Sequence, residues 1–149
     1  MDFSSTPFLE HNGIEPCEDP PHGIFALNPD PLHFNHLESI HQSSVFSLAE
    51  CSSGAFLMEN LESFTKDDFV YTLREAKVRY RAATNEKVYT IGKRVDIDWG
   101  KFHSSLQRNG RGLIRFPIHV MNMSGKCVSV CEFEWFLFRK PQRKVEPIV

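Results

Sequence analysis

The hydrophobic and polar residues of this 149-residue chain follow two different periods, which predict one helix and then a sheet. Between Ile40 and about Glu59, apolar and small side chains lie on nearly every side of a helix, so this helix is predicted to be buried. Ser39 and Gln42 have the spacing of a capping box at its start. From Asp68 onward the period is two, which is typical of strands. The predicted strands are 69–83, 87–97, 112–122 and 126–139.

Turn and cap residues predict how these strands are connected. The segment 84–86 predicts a turn between the first two strands, and Ser124-Gly125 predicts a hairpin turn between the last two. Between these pairs, Asp98 can cap a short helix that ends at Gly110. Pro117 lacks a backbone N–H, so its strand is expected to be a local edge or to carry a bulge. The prediction is an α+β fold in which a meander of strands curls round one helix.

The chain divides into three parts by composition. Six of the nine prolines lie within the first 31 residues, so the opening stretch is predicted as loop and extended chain, with a possible short strand at 23–27. The tail after Arg139 is basic and is expected to be solvated. We therefore predict a Pro-rich N-terminal extension over 1–23, one folded domain over 24–139 and a basic C-terminal tail over 140–149.

The net charge of −2 conceals a marked asymmetry along the chain. Residues 1–65 carry a charge of −10, and residues 66–149 carry +8. The basic half could attract a phosphorylated cofactor, or the two halves could neutralise each other in the fold, and charge alone does not choose between them. A nucleic-acid partner is disfavoured, because the chain is net acidic and no helix carries a basic stripe.

The sequence favours a reducing, cytoplasmic location. No apolar run is long enough to span a bilayer, and the N-terminus lacks the basic start and apolar stretch of a signal peptide. The four cysteines include no C-x-x-C pair, and Cys127 and Cys131 lie too far apart on one predicted strand to form a disulfide. We expect reduced thiols, a cytoplasmic protein and no membrane insertion.

The strongest functional signal lies around the start of the helix. The segment 35–50 resembles the start of the central helix in hotdog-fold acyl-CoA thioesterases and is most similar to the phenylacetate-pathway group. In that group an Asn precedes a His-Gly-Gly at the helix start, and an acidic residue follows nine residues after the His. Asn35, His41 and Glu50 occupy these positions. The C-terminal half resembles a hotdog subgroup known only as a domain of unknown function, through segments 99–102, 110–112, 124–126 and 132–136.

The resemblance implies a hotdog fold over residues 24–139 and a role for each residue at the helix start. Glu50 would be the general base or nucleophile, and Asn35 and His41 would orient the site. The backbone N–H groups at Gln42 and Ser43 would stabilise an oxyanion, because the first N–H groups of a helix lack internal partners. Both residues replace family glycines, and their Cβ atoms narrow the approach of a thioester carbonyl.

Further candidates for substrate binding lie on the predicted strands. Thr72 is the nearest match to a hydroxyl that holds the attacking water in some relatives. Arg79 and Arg81 are predicted to point to one face, where they could hold the phosphates of coenzyme A. A solvated basic face of the sheet is the alternative. Coenzyme A would enter as part of the substrate or ligand, so no resident cofactor is expected.

Helix geometry and the resemblance together imply a homodimer. Nine residues advance a helix by about 900° and about 13.5 Å, so His41 and Glu50 of one chain cannot readily face one substrate carbon. The resemblance implies that Glu50 of one subunit meets the helix start of the other, at shared sites. A tetramer built as a dimer of dimers is also compatible with this arrangement.

Several alternatives stay open at this point. A non-catalytic acyl-CoA-binding hotdog protein, with a regulatory or interaction role, fits the loss of both glycines. Glu50 could simply face solvent or cap a neighbouring group, and His41 could be a structural residue at the helix start. No metal is predicted, because His33 and His36 lie in an irregular stretch without a cluster of cysteines or carboxylates. A hotdog hydratase is disfavoured, since no paired Asp/His signature is present.

Overall fold

The computed structural model describes residues 6–61, 68–92 and 97–141. Six strands form one antiparallel sheet in the order β1-β2-β4-β5-β6-β3. A short 3-10 turn at Pro31–His33 precedes the long helix α2. The elements are α1 Pro7–His11, β1 Ile14–Pro16, β2 Phe25–Leu27, α2 Gln42–Leu61, β3 Phe69–Tyr80, β4 Val88–Gly92, α3 Trp99–Asn109, β5 Arg111–Asn122 and β6 Cys127–Arg139.

Helix α2 lies against the inner face of the curved sheet and packs mainly on β2, β4, β5 and β6. Small residues on the helix allow this close approach, and Ser52 and Ser53 are fully buried. The Ser52 hydroxyl is 2.6 Å from the Thr90 hydroxyl of β4. The indole N–H of Trp135 on β6 donates to the Ser53 hydroxyl over 3.2 Å. The buried polar groups of the helix are thus matched by the sheet, which fixes the helix in place.

The core lies between α2 and the inner faces of the central strands. Alternate residues of β5 and β6 point inward and are buried, whereas their neighbours face outward. Large side chains that are fully buried include Leu48, Leu57, Phe116, Phe133 and Leu137. This alternation confirms the predicted α+β fold, with a long central helix wrapped by a curved antiparallel sheet.

The predicted meander is wrong, because β3 pairs with β6 and β4 pairs with β5. The segment 84–86 therefore joins two strands that are not neighbours in the sheet. Strand β6 is apolar enough to be central and hydrogen-bonds along both of its edges. Strand β3 carries charged residues on its outer face and lies at the edge of the sheet, where such residues stay solvated.

The predicted first residue of α2 and its predicted capping residue are also wrong. The helix begins at Gln42 rather than Ile40 and ends at Leu61 rather than Glu59. The Ser39 hydroxyl donates to the Asn35 side chain over 3.2 Å instead of capping the helix. A local hydrogen bond within the preceding loop therefore competes successfully with the capping box.

Other local predictions agree with the structure. The Asp98 carboxylate accepts from the Lys101 N–H over 2.8 Å and so caps α3. Gly110 ends that helix at φ 68°, in the left-handed region that favours glycine. Pro117 pairs with Glu132 of β6, and the pairing of β5 with β4 is described as far as Gly92 with Ile118, so the edge or bulge expected at Pro117 stays a prediction. β4 ends at Gly92, and the predicted strand residues 93–96 lie outside the described residues.

The N-terminal extension is more structured than predicted. It contains α1 and β1, and β1 pairs with β2 as the first strand of the sheet. Leu9 and Ile14 belong to the main core, with exposures of 3% each. The high proline content of this region favours a loop, but burial of these two aliphatic side chains holds the N-terminal extension against the sheet.

Candidate functional site at the start of helix α2

The Asn35 side chain shapes the loop that leads into α2. Its Oδ1 atom accepts from the backbone N–H of Leu37 over 2.9 Å and from that of Ser39 over 3.3 Å. The chain turns within this loop at Glu38, with φ 56°, and a bridge between Phe34 and Ile40 closes it. Asn35 therefore fixes the loop that delivers the chain to the helix start.

His41 caps the first turn of α2. Its ring Nδ1 accepts from the Ser43 N–H over 3.1 Å, and its backbone carbonyl accepts from Ser44 and Val45 over 2.9 Å and 3.2 Å. The His41 ring thus bonds within the first turn of its own helix. Within the described residues, the Gln42 N–H is left without a partner and is open to an incoming acceptor.

Glu50 lies on α2 as a half-buried carboxylate. Its hydrogen-bond donor is the thiol of Cys51, with an Sγ–Oε2 distance of 3.6 Å, and no Lys or Arg among the described residues pairs with it. Burial raises the pKa of Glu50, and the Cys51 hydrogen bond opposes this shift. Burial, followed by the nearby Glu50 charge, raises the pKa of Cys51 to about 12, so this thiol stays protonated.

Tyr80 connects strand β3 to the helix start. Its hydroxyl donates to the Gln42 carbonyl over 3.3 Å, and burial raises the pKa of this phenol. Beside this contact lies a cavity of about 230 Å³ between the helix start and the chain that leaves β3. Its lining comprises Ser39, Ile40, Gln42, Val45, Tyr80, Arg81, Ala82, Ala83, Thr84 and Val128.

A basic groove of about 390 Å³ adjoins this cavity through Arg81, which lines both. Lys77 and Arg79 contribute two further cations, and Glu132 contributes a single carboxylate. Lys77 pairs with Glu75 over 3.7 Å, but neither arginine forms an ion pair within the described residues. The groove therefore presents uncompensated positive charge to solvent.

The structure places most of the predicted site residues near the start of α2, but not all. Asn35 holds the preceding loop, His41 caps the first turn at Ser43, and Gln42 and Arg81 both line the cavity beside it. Glu50 lies nine residues along the helix from His41, so no single chain brings it to the helix start. Thr72 is exposed and lies opposite Phe136 on the outer face of the sheet.

Sequence analysis missed Tyr80 and Cys51. Strand alternation places Tyr80 on the same face as Val78, but it shares the inner face with Leu73 only because of the β-bulge between Leu73 and Glu75, which the sequence period does not reveal. The thiol of Cys51 carries no such signal, since adjacent helix residues do not ordinarily face each other. Within the described residues, no group of three or more His, Cys, Asp or Glu side chains could hold a metal.

Solved structures with this fold share little sequence with the chain. A Pseudomonas aeruginosa protein of unknown function, described as a probable thioesterase, is 18% identical with a TM-score of 0.75; the match covers 91% of this chain and 89% of that one. A Bacillus halodurans protein solved with CoA is 16% identical with a TM-score of 0.67, covering 90% and 77%. A mutant thioesterase from Pseudomonas aeruginosa is 11% identical with a TM-score of 0.65, covering 89% and 86%.

These likenesses and the wrapped helix define a hotdog-fold protein, which confirms the predicted fold. No curated protein matches the chain at a significant level. A family model described as "Domain of unknown function (DUF4442)" matches residues 24–137. The chain belongs to this family.

Proposed function

We propose that this protein is an acyl-CoA thioesterase that hydrolyses its substrate at sites shared across a homodimer interface. The observation that carries the proposal is Glu50, a half-buried carboxylate that no cation compensates among the described residues. Burying such a group is costly, and its side-chain partner among the described residues is only the weak Cys51 thiol donor. A carboxylate whose pKa is raised by burial is a suitable general base.

The helix start supplies the second requirement of thioester hydrolysis, a donor for the developing oxyanion. The Gln42 N–H points out of the helix without a partner among the described residues, and the helix dipole favours negative charge there. Glu50 would activate a water or attack the thioester carbon directly. Asn35 holds the loop before the helix, and His41 holds its first turn.

The shared site follows from the separation of these groups. About 13.5 Å and half a helical turn separate His41 from Glu50 within one chain, so a second subunit would have to bring one to the other. Strand β3 supports such a pairing because it is a 12-residue edge strand. Its inner face carries Leu73, half-buried, and Tyr80, 45% exposed, which a partner helix could cover.

The proposed carrier is coenzyme A. The arginines at 79 and 81 line the basic groove beside the helix start, and guanidinium groups bind phosphates by paired hydrogen bonds. A structural neighbour from Bacillus halodurans was solved with CoA, which supports this class of ligand. No helix among the described residues is long and apolar enough to cross a bilayer. We propose a cytoplasmic location on the evidence of the free thiols of Cys17, Cys51, Cys127 and Cys131.

One observation favours a second candidate, an acyl-CoA-binding protein without hydrolysis. The His41 ring already accepts from the Ser43 N–H over 3.1 Å, so among the described residues the first turn keeps one open donor, the Gln42 N–H. The side chains at Gln42 and Ser43 also stand where the resembling enzymes have glycines. An oxyanion hole with fewer donors loses much of its stabilising effect, since each donor contributes a large rate factor.

The substitution Glu50→Gln separates these candidates. It keeps the size of the side chain and removes the base, so thiol release from acyl-CoA should fall by about a hundredfold to ten-thousandfold. The matched control is Glu59→Gln, an exposed position of the same helix, which should retain the wild-type rate. Saturable acyl-CoA binding without thiol release by the wild-type protein would establish the non-catalytic alternative instead.

The dimer is tested on the inner face of β3. Val78→Glu places a charge on this half-buried face, and it should convert a dimer to a monomer in sedimentation and abolish thiol release. Lys77→Glu, its neighbour on the outer face, is the matched control and should leave the dimer intact. A wild-type protein that sediments as a monomer at all concentrations would refute the shared site.

A further inference from the structure

The cavity beside the start of α2 has two chemically different ends. Ile40, Val45 and Val128 form its deep end, and each is buried, with an exposure of 5% or less. Arg81 lies at the other end and is exposed. A ligand that fills this cavity must therefore be apolar at its buried end and can be anionic where it leaves the protein.

From this arrangement we infer that the cavity is the acyl subsite, and that it selects short acyl chains or a single aryl ring. The inference rests on the proposed function. The acyl group is the apolar end of an acyl-CoA, whereas the carrier contains amides and phosphates that need polar partners. The groove with Lys77, Arg79 and Arg81 adjoins the cavity on its open side, where the carrier would lie.

The size of the cavity sets the substrate class. A cavity of about 230 Å³ is smaller than a drug-sized pocket, which begins at about 300 Å³. The cavity is open on one side, so an octanoyl chain or an aryl group would fill it, whereas a long fatty acyl chain would extend past its mouth into solvent.

Tyr80 is the specificity-determining residue in this inference. Its ring forms one wall of the cavity, and its hydroxyl is held by the Gln42 carbonyl over 3.3 Å. The same residue thus touches both the acyl subsite and the helix start, where the thioester carbonyl would bind. Ala82 forms another part of the wall and is half-buried, so its methyl group can be enlarged without disturbing the core.

The test measures how affinity depends on acyl length in two variants, one that makes the cavity smaller and one that makes it larger. Dissociation constants are determined by calorimetry for free coenzyme A and for acetyl- to palmitoyl-coenzyme A, with every protein carrying Glu50→Gln so that the proposed hydrolysis does not consume the ligand. Each methylene that fits an apolar cavity should increase affinity about fourfold. Ala82→Leu adds three carbons to the wall, so the acyl chain that binds most tightly should be about three carbons shorter. Octanoyl-CoA should then bind roughly fiftyfold more weakly. Tyr80→Ala removes the ring wall and should shift the preference to longer chains.

The control is Ser104→Leu, which adds bulk on the exposed face of α3, outside the cavity lining. It should keep the wild-type preference, and thermal unfolding of all variants should show that they remain folded. The inference is overturned if both cavity variants keep the wild-type chain preference, or if free coenzyme A loses as much affinity in Ala82→Leu as octanoyl-CoA does. The second result would make the cavity a passage for the carrier. If no acyl-CoA of any length binds the wild-type protein, the proposed function itself fails.

Discussion

Two sides of helix α2 have very different surroundings. Ser52 and Leu48 lie on the side that faces the sheet, and both are fully buried. Glu50 lies about 160° away round the same helix, half-buried, with a weak thiol donor as its side-chain partner among the described residues. Polar groups that build the fold are thus hydrogen-bonded to the sheet, whereas the group proposed for chemistry is left uncompensated. Ser52 and Leu48 therefore stabilise the folded protein, whereas burial of the Glu50 carboxylate destabilises it.

The largest effect is expected on the packed side. Leu48→Ala should lower the free energy of unfolding by about 3 kcal/mol, because it removes a fully buried side chain and leaves a cavity. Leu32→Ala, at a position 93% exposed, is the matched control and should change stability by less than about 0.5 kcal/mol. Urea unfolding of both variants measures the difference. Equal losses would show that the helix is not packed as described.

A smaller effect is expected where the packed side is polar. Ser52→Ala removes the 2.6 Å contact with the Thr90 hydroxyl in a fully buried setting and should cost about 1–2 kcal/mol. Ser47→Ala changes the same residue type at a half-buried position of the same helix and should cost less. If the two substitutions cost the same in urea unfolding, the buried pair does not fix the helix.

The fold could be predicted from sequence because its signals are local. A helix with small and apolar residues on nearly every side has to be buried. The segments of period two that follow it predict strands, and a sheet built from them can bury the helix if it curves round it. Strand order could not be predicted, because alternation places a side chain on a face but does not choose its neighbouring strand. The central position of β6 became clear only from its pairing with both β3 and β5.

Only part of the candidate site could be predicted from the sequence, for a similar reason. Asn35, His41 and Glu50 are recognisable through their spacing, which a sequence displays directly. The cap formed by the His41 ring depends on a single side-chain orientation, and the cavity beside Tyr80 depends on how β3 meets the helix start. Such features arise from tertiary packing, so spacing alone does not reveal them.

A still smaller change is expected at the helix start. His41→Ala removes the acceptor for the Ser43 N–H and should cost about 0.5–1 kcal/mol, as loss of a helix cap does. His41→Asn should recover most of this stability, because Asn is a good capping residue. Thiol release then distinguishes two roles of His41. If His41→Asn restores stability but not the rate, the ring also orients the substrate; if it restores both, capping is its whole contribution.

The smallest effect is expected at Glu50, and its sign should be opposite to the others. Because burial raises the pKa of Glu50 above its ordinary value of 4.5, the unfolded chain releases this proton at lower pH than the folded protein does. The contribution of Glu50 to stability therefore falls as the pH rises from below the ordinary value through the raised one. Glu50→Gln removes the ionisation, so the variant should be more stable than the wild type at neutral pH.

This gain should vanish at low pH, where Glu50 is protonated in both states and resembles the amide that replaces it. Urea unfolding at neutral pH and below pH 4.5 measures the gain directly, with the exposed Glu59→Gln on the same helix as the control. A loss of stability in Glu50→Gln at neutral pH would mean that the carboxylate is compensated in solution. Glu50 would then belong with the residues that hold the fold, and its assignment as the base would lose its main physical support.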